Sequence, residues 1–399
     1  WPRRNKLEAH WKEAVMGQQL FTNCNRAIVE AAILSGCRFF AGYPFTPATE
    51  CLEQASHRMP EVGGVYIQAE SEVSVINMVM GAAAAGVRCM TATSGAGFAL
   101  MQEGVSHMAG IAELPCVIVN VSRGGPGFGN LAPTQGDYFQ ATRGGGAGDY
   151  RCLVFGPSTV QEAVDLTKLA FVLADRYRMP AIMLSDQMLA ETTEACDLAP
   201  LPEEEPAQKW WAATGCQGRD PIYVGRPGTD YGPHAEYLSG NLTLNLIGVG
   251  SVGRNPDTFE AHMLRLADKH RRIEAEEARA QACYLADAEL VVVAFGTSAR
   301  LIRPAIEQAR ADGLPVGLIR PITLWPFPSR LIAETAERVR EFLVVEMSMG
   351  QMVEDVRLAV QGKTPVRLFS TLGGVVPRPE TVGPKIRSLL SLVSSERRA

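Results

Sequence analysis

The stretch Cys116-Val-Ile-Val-Asn-Val121 is apolar at five of its six positions and runs directly into the turn-forming residues Ser122-Arg-Gly-Gly-Pro126. A strand with one face in water alternates polar and apolar residues, whereas a parallel strand covered by helices on both faces does not. The stretch therefore predicts a buried strand of a parallel sheet.

Similar apolar runs alternate with helical patterns between Leu20 and Glu191. The predicted strands are Arg38–Gly42, Val65–Gln68, Arg88–Thr93, Cys116–Val121, Leu153–Phe155 and Ala181–Ser185. The predicted helices are Gly17–Leu34, Thr49–Arg58, Glu72–Ala85, Phe98–Ala109 and Thr159–Arg176. This order predicts an α/β fold with a doubly wound parallel sheet, in which ligands bind beyond the carboxyl ends of the strands.

Changes in composition divide the chain into four predicted parts. Residues 1–16 form an N-terminal arm, and residues 17–195 form the first domain. Residues 196–285 contain acidic and proline-rich pieces and a charged helix near Phe259–Ala280, which favour a connecting segment over a domain with its own core. Residues 286–399 are predicted to form a smaller α/β domain with strands Leu290–Phe295, Val316–Ile319, Phe342–Val345 and Val366–Phe369.

The bulk composition favours small-molecule chemistry. Of the 399 residues, 46% are hydrophobic and 20% charged, and 38 basic against 43 acidic residues give a net charge of −5. We therefore expect no surface that binds nucleic acid, and the charges within the longest apolar stretches argue against a membrane span. The nine cysteines are dispersed, which argues against a zinc ribbon or an iron–sulfur cluster and favours reduced thiols in a cytoplasmic protein.

One motif suggests a nucleotide site. Residues 248–253 match G-x-G-x-x-G and follow a strand-like run, Leu242–Ile247. The dinucleotide fingerprint needs a second strand that ends in an acid about 20 residues later. Arg271–Arg279 is instead a charged, helix-like run, so we interpret the motif as a loop. A non-catalytic nucleotide-binding assembly subunit built around this motif remains the alternative from another class of function.

Polar residues follow four consecutive predicted strands. The turn Gly42-Tyr-Pro-Phe-Thr-Pro-Ala-Thr-Glu50 places Thr46 between two prolines, although a helix N-cap is the simpler interpretation of its threonines. Glu70 and Glu72 follow the next strand, where acids in a first helical turn usually only complement the helix dipole. The convergence of such groups on one edge of a sheet nevertheless favours a ligand site.

The next two strand ends carry the remaining candidates. The strand Arg88–Thr93 ends in Ser94-Gly-Ala-Gly97, a tight turn that could serve sheet geometry alone. Arg123 follows the strand Cys116–Val121 and enters a glycine-rich loop. Because a guanidinium can bind a carboxylate through two parallel hydrogen bonds, Arg123 is a candidate for holding an acidic substrate.

These blocks resemble the α chains of 2-oxoacid:ferredoxin oxidoreductases. Gly42–Glu50 is similar to the Y-P-x-T-P motif of that family, with Phe45 where isoleucine is usual. Further similar blocks, in the family's order, are Gln68–Gly81, Thr91–Gly97, Leu114–Gly129, Gly144–Tyr150, Leu290–Arg303, Ile319–Phe327 and Val345–Val353. The resemblance implies a pyrimidine-binding domain over residues 17–195 and a domain like the C-terminal domain of transketolase over residues 286–399.

The resemblance also implies cofactors and partners. Thiamine diphosphate would lie between this chain, which holds the aminopyrimidine, and a β subunit, which holds the diphosphate and Mg²⁺. The sequence has neither a G-D-G…N diphosphate motif nor a cysteine cluster, so [4Fe-4S] clusters are expected on other chains. A separate γ subunit, a ferredoxin-like δ subunit and ferredoxin complete the implied complex, with coenzyme A as co-substrate.

Roles carried over by motif concern a few residues. Glu72, placed by its spacing from Gly81, would bond the aminopyrimidine ring nitrogen and act as the catalytic residue, and no residue is assigned to a metal. Thr46 and Arg123 would bind the 2-oxoacid carboxylate. The cofactor-binding residues would be Tyr43, Pro44, Thr46, Glu72, Ser94 and Gly95. The expected substrate is a branched-chain 2-oxoacid of the 2-oxoisovalerate type, with 2-oxoglutarate as the alternative.

Overall fold

The computed structural model describes residues 19–199 and 256–396, with side chains described for residues 19–199 and 259–391. Several predictions fall outside these ranges, among them the N-terminal arm and the motif at residues 248–253. They remain predictions.

The first half of the chain alternates strands and helices as predicted. Its strands are β1 Gln19–Asn23, β2 Phe39–Gly42, β3 Val65–Gln68, β4 Cys89–Thr93, β5 Cys116–Ser122, β6 Leu153–Phe155, β7 Pro180–Asp186 and β8 Thr193–Asp197. Its helices are α1 Cys24–Leu34, α2 Thr49–Glu61, α3 Glu72–Ala84, α4 Gly95–Ser106, α5 Tyr138–Thr142, α6 Val160–Tyr177 and α7 Gln187–Glu191. A short π-helical turn, His107–Ile111, continues α4.

The second half is a smaller α/β unit. Its helices are α8 Pro256–Glu276, α9 Gly296–Ala311, α10 Ser329–Ala336, α11 Met352–Val360 and α12 Pro379–Glu396. Its strands are β9 Ala280–Cys283, β10 Leu290–Val293, β11 Val316–Pro321, β12 Thr323–Trp325, β13 Glu341–Glu346 and β14 Val366–Ser370.

Two large sheets organise the chain. The seven-stranded sheet has the order β12-β6-β7-β5-β4-β2-β3, and the five-stranded sheet has the order β14-β13-β10-β11-β9. All pairings within them are parallel except β12 with β6 and β9 with β11. The central strand β5 is buried at every position, which explains its lack of polar alternation. The predicted α/β class with a parallel sheet is confirmed.

The predicted first helix was wrong at its start. Residues 19–23 form β1, which pairs antiparallel with β8. The Asn23 side chain accepts a hydrogen bond from the Arg26 backbone at 3.0 Å, so the helix is capped there and begins at Cys24. The pairing partner lies about 170 residues away in the sequence, and a local helical pattern carries no sign of it.

Sheet membership bears on the predicted division into domains. The strand β9 lies within the predicted connecting segment, residues 196–285, but pairs with β11 of the second sheet. The strand β12 follows β11 in sequence yet joins β6 of the first sheet. The predicted limits therefore remain predictions, and the two sheets share a continuous core at their junction.

The helix α8 is fixed to the first domain by a buried ion network. Glu113 Oε1 accepts a hydrogen bond from Lys269 Nζ at 2.8 Å, and Glu113 Oε2 accepts one from Arg265 Nη2 at 2.6 Å. His262 Nε2 donates to the Gly110 carbonyl at 2.7 Å. Burial alone would raise the pKa of Glu113, but the nearby cations Lys269, Arg265 and Arg178 outweigh it and hold that pKa well below its ordinary value.

In the described parts of the chain, no helix is long and apolar enough to cross a membrane.

We predict that Glu113→Gln destabilises the chain by about 3–5 kcal/mol, because it leaves the buried Lys269 and its neighbour Arg265 without their anion. Urea denaturation of the isolated chain measures this loss. Because the Glu113 pKa is lower in the folded chain than in the unfolded chain, the full stabilisation is present at pH values where the unfolded carboxyl is ionised. The difference in unfolding free energy from wild type should therefore be constant well above pH 4.5 and shrink as the pH falls below it.

The control is Glu103→Gln, which removes an acid whose side chain is 71% exposed beside His107. Its effect should stay within about 0.5 kcal/mol. Equal losses in the two variants would contradict the role given to Glu113.

Candidate active site

The carboxyl ends of β5, β4, β2 and β3 lie side by side in the first sheet. Because these strands are parallel, the segments that follow them meet at one edge. The four polar segments singled out in the sequence are those segments. The topology therefore brings the predicted site residues to a common edge.

Glu72 lies inside this edge. It occupies the first turn of α3, whose N-cap Ser71 accepts a hydrogen bond from the Ser74 backbone at 3.3 Å. The Glu72 residue is only 3% exposed, and its Oε1 has no hydrogen-bond partner within the described part of the chain. A buried carboxylate oxygen without a partner is costly, so its retention points to a ligand.

Glu70 has a different environment. Its side chain is exposed and accepts a hydrogen bond from the Ser74 hydroxyl, which lowers the Glu70 pKa. Glu70 therefore lies on the surface just before the N-cap of α3, outside the first helical turn in which the sequence placed it, and the buried carboxyl group belongs to Glu72.

Gly97 allows the close approach of Glu72 to α4. A Cβ atom at Gly97 would lie 2.3 Å from Glu72 Oε1 and 2.2 Å from Thr93 Oγ1. The hydroxyls of Thr91, Thr93 and Ser94 are buried and, among the described residues, have no hydrogen-bond partner. Unpaired polar atoms are thus concentrated where β4 meets α4, and those of Thr93 and Glu72 lie beside Gly97.

The turn after β2 is open to solvent. Tyr43, Pro44 and Thr46 are exposed. The peptide bond between Thr46 and Pro47 is cis, and Asn25 Nδ2 donates to the Pro47 carbonyl at 2.8 Å. This buried contact from α1 holds the turn from below while its outer residues remain accessible.

Arg123 joins the end of β5 to the turn after β2. Its Nη1 donates to the Thr46 carbonyl at 2.8 Å, and its guanidinium lies 4.5 Å from the centre of the Phe45 ring. The guanidinium stacks on the ring through a cation–π contact. The structure thus brings together Arg123 and Thr46, the two residues predicted to bind a substrate carboxylate.

Sequence reasoning missed Asp137. Its Oδ2 accepts hydrogen bonds from Ser122 Oγ at 2.6 Å and Asn120 Nδ2 at 3.2 Å, and a Cβ at Gly95 would lie 2.5 Å from it. Burial raises the pKa of Asp137, although the two hydrogen bonds oppose that effect. Asp137 follows no strand, so the rule that located the other candidates could not find it.

Family models match most of the chain. The model described as pyruvate flavodoxin/ferredoxin oxidoreductase, thiamine-diphosphate-binding, matches residues 30–222, and the model of pyruvate:ferredoxin oxidoreductase core domain II matches residues 288–382. The ketoisovalerate oxidoreductase subunit VorB of Methanothermobacter thermautotrophicus is 46% identical over 92% of this chain and 96% of that protein. The chain belongs to the alpha subunits of the 2-oxoacid:ferredoxin oxidoreductases. The family predicted from the motifs is therefore confirmed.

Other members of this family are more distant. The 2-oxoglutarate synthase subunit KorA of Methanothermobacter marburgensis is 36% identical over 94% of this alpha subunit and 100% of the relative. Among solved structures, the 2-oxoglutarate:ferredoxin oxidoreductase of Magnetococcus marinus, with 2-oxoglutarate, coenzyme A and succinyl-CoA bound, has a TM-score of 0.76 and 27% identity. The match covers 93% of this chain but spans only 65% of that chain.

A split-gene transketolase shares the fold, with a TM-score of 0.50 and 12% identity over 92% of this chain and 97% of that chain. The alpha subunit thus has the architecture expected from the resemblance, and it belongs to a thiamine-diphosphate-binding domain family. The roles of individual site residues remain predictions.

We predict that Gly97→Ala disrupts the site, because the new methyl group would displace the Glu72 carboxylate and the Thr93 hydroxyl. Turnover of the assembled complex should fall by about tenfold or more, and thiamine diphosphate should bind more weakly. Titration of the complex with the cofactor measures the second effect.

Gly81→Ala on α3 is the matched control, since a Cβ atom there meets nothing within 4 Å. It should leave activity unchanged and, at an exposed helical position, raise the free energy of unfolding by about 0.5–1 kcal/mol. An active Gly97→Ala complex with normal cofactor affinity would contradict the close packing described above.

Proposed function

We propose that this alpha subunit forms the aminopyrimidine-binding half of an active site that oxidatively decarboxylates a branched-chain 2-oxoacid with coenzyme A. The products are an acyl-CoA, CO₂ and reduced ferredoxin. The observation that carries the proposal is the buried, unpaired carboxylate oxygen of Glu72 beside the glycine turn of α4.

The residues at this edge fit the aminopyrimidine of thiamine diphosphate. A ring nitrogen that carries a proton needs an acceptor, and Glu72 Oε1 is an acceptor without a partner among the described residues. The buried hydroxyls of Ser94 and Thr93 offer further hydrogen bonds, and Gly97 lets the Glu72 carboxylate approach the start of α4. Tyr43 and Pro44 form the exposed rim.

Within this site, Glu72 Oε1 would accept a hydrogen bond from the protonated ring nitrogen and so favour the protonated form of the ring. When bound, thiamine diphosphate supplies the carbon nucleophile that the decarboxylation of a 2-oxoacid requires. The low exposure of Glu72 strengthens its hydrogen bond, because water does not compete for the carboxylate.

Arg123 and Thr46 orient the substrate. Within the described part of the chain, Arg123 donates a side-chain hydrogen bond through Nη1, to the Thr46 carbonyl, which leaves other N–H groups of the guanidinium for a substrate carboxylate. The stacking on Phe45 fixes the plane of the guanidinium, which reduces the entropy lost on binding. The Thr46 hydroxyl lies on the same exposed turn.

The proposed complex contains further chains, because relatives of this protein are named as subunits. A β subunit would hold the diphosphate and Mg²⁺, and γ and ferredoxin-like δ subunits would pass electrons through [4Fe-4S] clusters to ferredoxin. A cytoplasmic location is proposed on the eight described cysteines, all of which are free thiols.

The proposed substrate class follows the pattern of similarity. Two ketoisovalerate oxidoreductase subunits are 46% and 44% identical to this chain, whereas 2-oxoglutarate synthase subunits are 36–37% identical. A branched-chain 2-oxoacid is therefore favoured over 2-oxoglutarate. Comparison of kcat/KM for 2-oxoisovalerate and 2-oxoglutarate in the assembled complex tests this preference directly.

We predict that Glu72→Gln leaves thiamine diphosphate bound but lowers turnover by about 10²-fold or more, because an amide retains the size of the side chain without stabilising a protonated ring. The effect of Glu72 on the bound cofactor is measured as the rate of proton exchange at its C2 atom, determined by NMR after acid quench. Exchange should slow in parallel with turnover.

Glu70→Gln is the matched control, since it changes the neighbouring exposed acid just before the N-cap of the same helix. Its exchange rate and turnover should remain close to wild type. Normal exchange in Glu72→Gln with slow exchange in Glu70→Gln would assign the role to the other carboxylate.

We predict that Arg123→Lys raises KM for the 2-oxoacid by about tenfold or more, because lysine keeps the charge but loses the planar pair of donors. Cofactor affinity should change little. Arg26→Lys, an exposed arginine that pairs with Glu53 on α2, is the control and should leave KM unchanged. A wild-type KM in Arg123→Lys would move the carboxylate role to another residue.

A further inference from the structure

The segment Thr134-Gln-Gly-Asp137 lies between the two sheets and has no role in the proposed chemistry. It leaves the glycine-rich loop that follows Arg123 and leads into α5. Its neighbours on one side belong to the second half of the chain, and those on the other side belong to the active-site edge.

Gln135 is the anchor on the side of the second sheet. It is 2% exposed, and its Nε2 donates to the Phe295 carbonyl at 2.9 Å. Its Oε1 accepts hydrogen bonds from Ser298 Oγ at 2.8 Å and from the Met347 backbone at 3.0 Å. One buried amide thus connects the ends of β10 and β13 to this segment.

Gln351 holds the same segment from outside. Its Nε2 donates to the Gly136 carbonyl at 2.7 Å, and its Oε1 accepts a hydrogen bond from the Phe139 backbone at 2.7 Å. These two contacts lie on either side of Asp137 in the sequence. Residues of the second sheet and its helices therefore determine where the Asp137 backbone lies.

Asp137 connects these contacts with the active-site edge. Its Oδ2 receives hydrogen bonds from Asn120 Nδ2 and Ser122 Oγ, both on β5, and the carboxylate occupies the space that a side chain at Gly95 would need. Ser122 directly precedes Arg123 in the sequence. The end of β5 and the start of α4 are thus fixed against one carboxylate.

We propose that Asp137 is a positioning residue that aims Arg123 at the substrate carboxylate, and that the second domain sets its position through Gln351 and Gln135. Arg123 lies directly after β5, where Ser122 pairs with Asp186 of β7, and its own backbone forms an isolated antiparallel bridge with Pro133. Asp137 adds a constraint on the interior side, through the residue before Arg123.

This inference rests on the proposal that Arg123 binds the substrate carboxylate. Kinetic measurements on the assembled complex distinguish a failure of that proposal from a failure of the positioning role of Asp137. Asp137→Ala should raise KM for the 2-oxoacid by about tenfold, the usual effect of losing a hydrogen bond to a charged group. Its kcat and its dissociation constant for thiamine diphosphate, measured by fluorescence titration, should stay within about twofold of wild type. Asp137→Asn retains an acceptor oxygen, so its KM should lie close to the wild-type value.

Gln351→Ala tests the link to the second domain without altering Asp137, and it also serves if Asp137→Ala folds poorly. KM should rise by about threefold or more, as for a neutral hydrogen bond. Gln308→Ala, on the exposed face of α9, is the matched control and should leave KM unchanged. A normal KM in Gln351→Ala would overturn the proposed link.

The double variant Asp137→Ala/Arg123→Lys decides between aiming and a general structural role. If Asp137 acts through Arg123, KM of the double variant should not exceed that of the weaker-binding single variant. Multiplied effects on KM, or a fall in kcat with unchanged KM, would overturn the inference while leaving the proposed function intact. A wild-type KM in Arg123→Lys alone would overturn the proposed role of Arg123 and this inference together.

Discussion

The buried carboxylate of Glu72, whose Oε1 has no hydrogen-bond partner among the described residues, is the constraint around which the active-site edge is arranged. Burial of such a group opposes folding, because no water remains to solvate the oxygen. The cost at Glu72 is offset by the surrounding fold: α3 begins at Glu72 behind its Ser71 cap, and α4 presents Gly97 where any side chain would collide. A ligand that donates a hydrogen bond to Oε1 recovers part of this cost on binding, so ligand binding and stability of the edge are coupled.

The sequence predicted those parts of the molecule whose causes are local. The strands β3 and β6 have the predicted limits, because apolar runs bounded by turns determine where a parallel strand begins and ends. The helix α4 starts at Gly95 rather than Phe98, since glycines that propensity disfavours in helices are required there by contacts with Asp137 and Glu72. Contacts between distant residues overruled the local pattern.

At the candidate site too, the sequence predicted features with local causes and missed those that depend on distant contacts. Glu72, Arg123 and the turn around Thr46 were predicted because each follows a strand, and parallel strands bring their ends together. The choice between Glu72 and Glu70 came from a motif, and burial now gives it a physical basis. Asp137 reaches the site through contacts of the second sheet with Gln135 and Gly136, which lie about 160–215 residues away in sequence. Local patterns contain no information about such contacts.

Two carboxylates, at Glu72 and Asp137, approach the first turn of α4, where the unpaired backbone N–H groups and the helix dipole favour negative charge. Their surroundings differ. Asp137 Oδ2 accepts hydrogen bonds from two donors on β5, so this carboxylate stabilises the local structure of the protein. Glu72 has an oxygen that, among the described residues, receives no donor. Both groups lie beside the same helix end, while the capacity for a further hydrogen bond is left to Glu72. One helix terminus thus accommodates two carboxylates with different partners, Asp137 beside Gly95 and Glu72 beside Gly97.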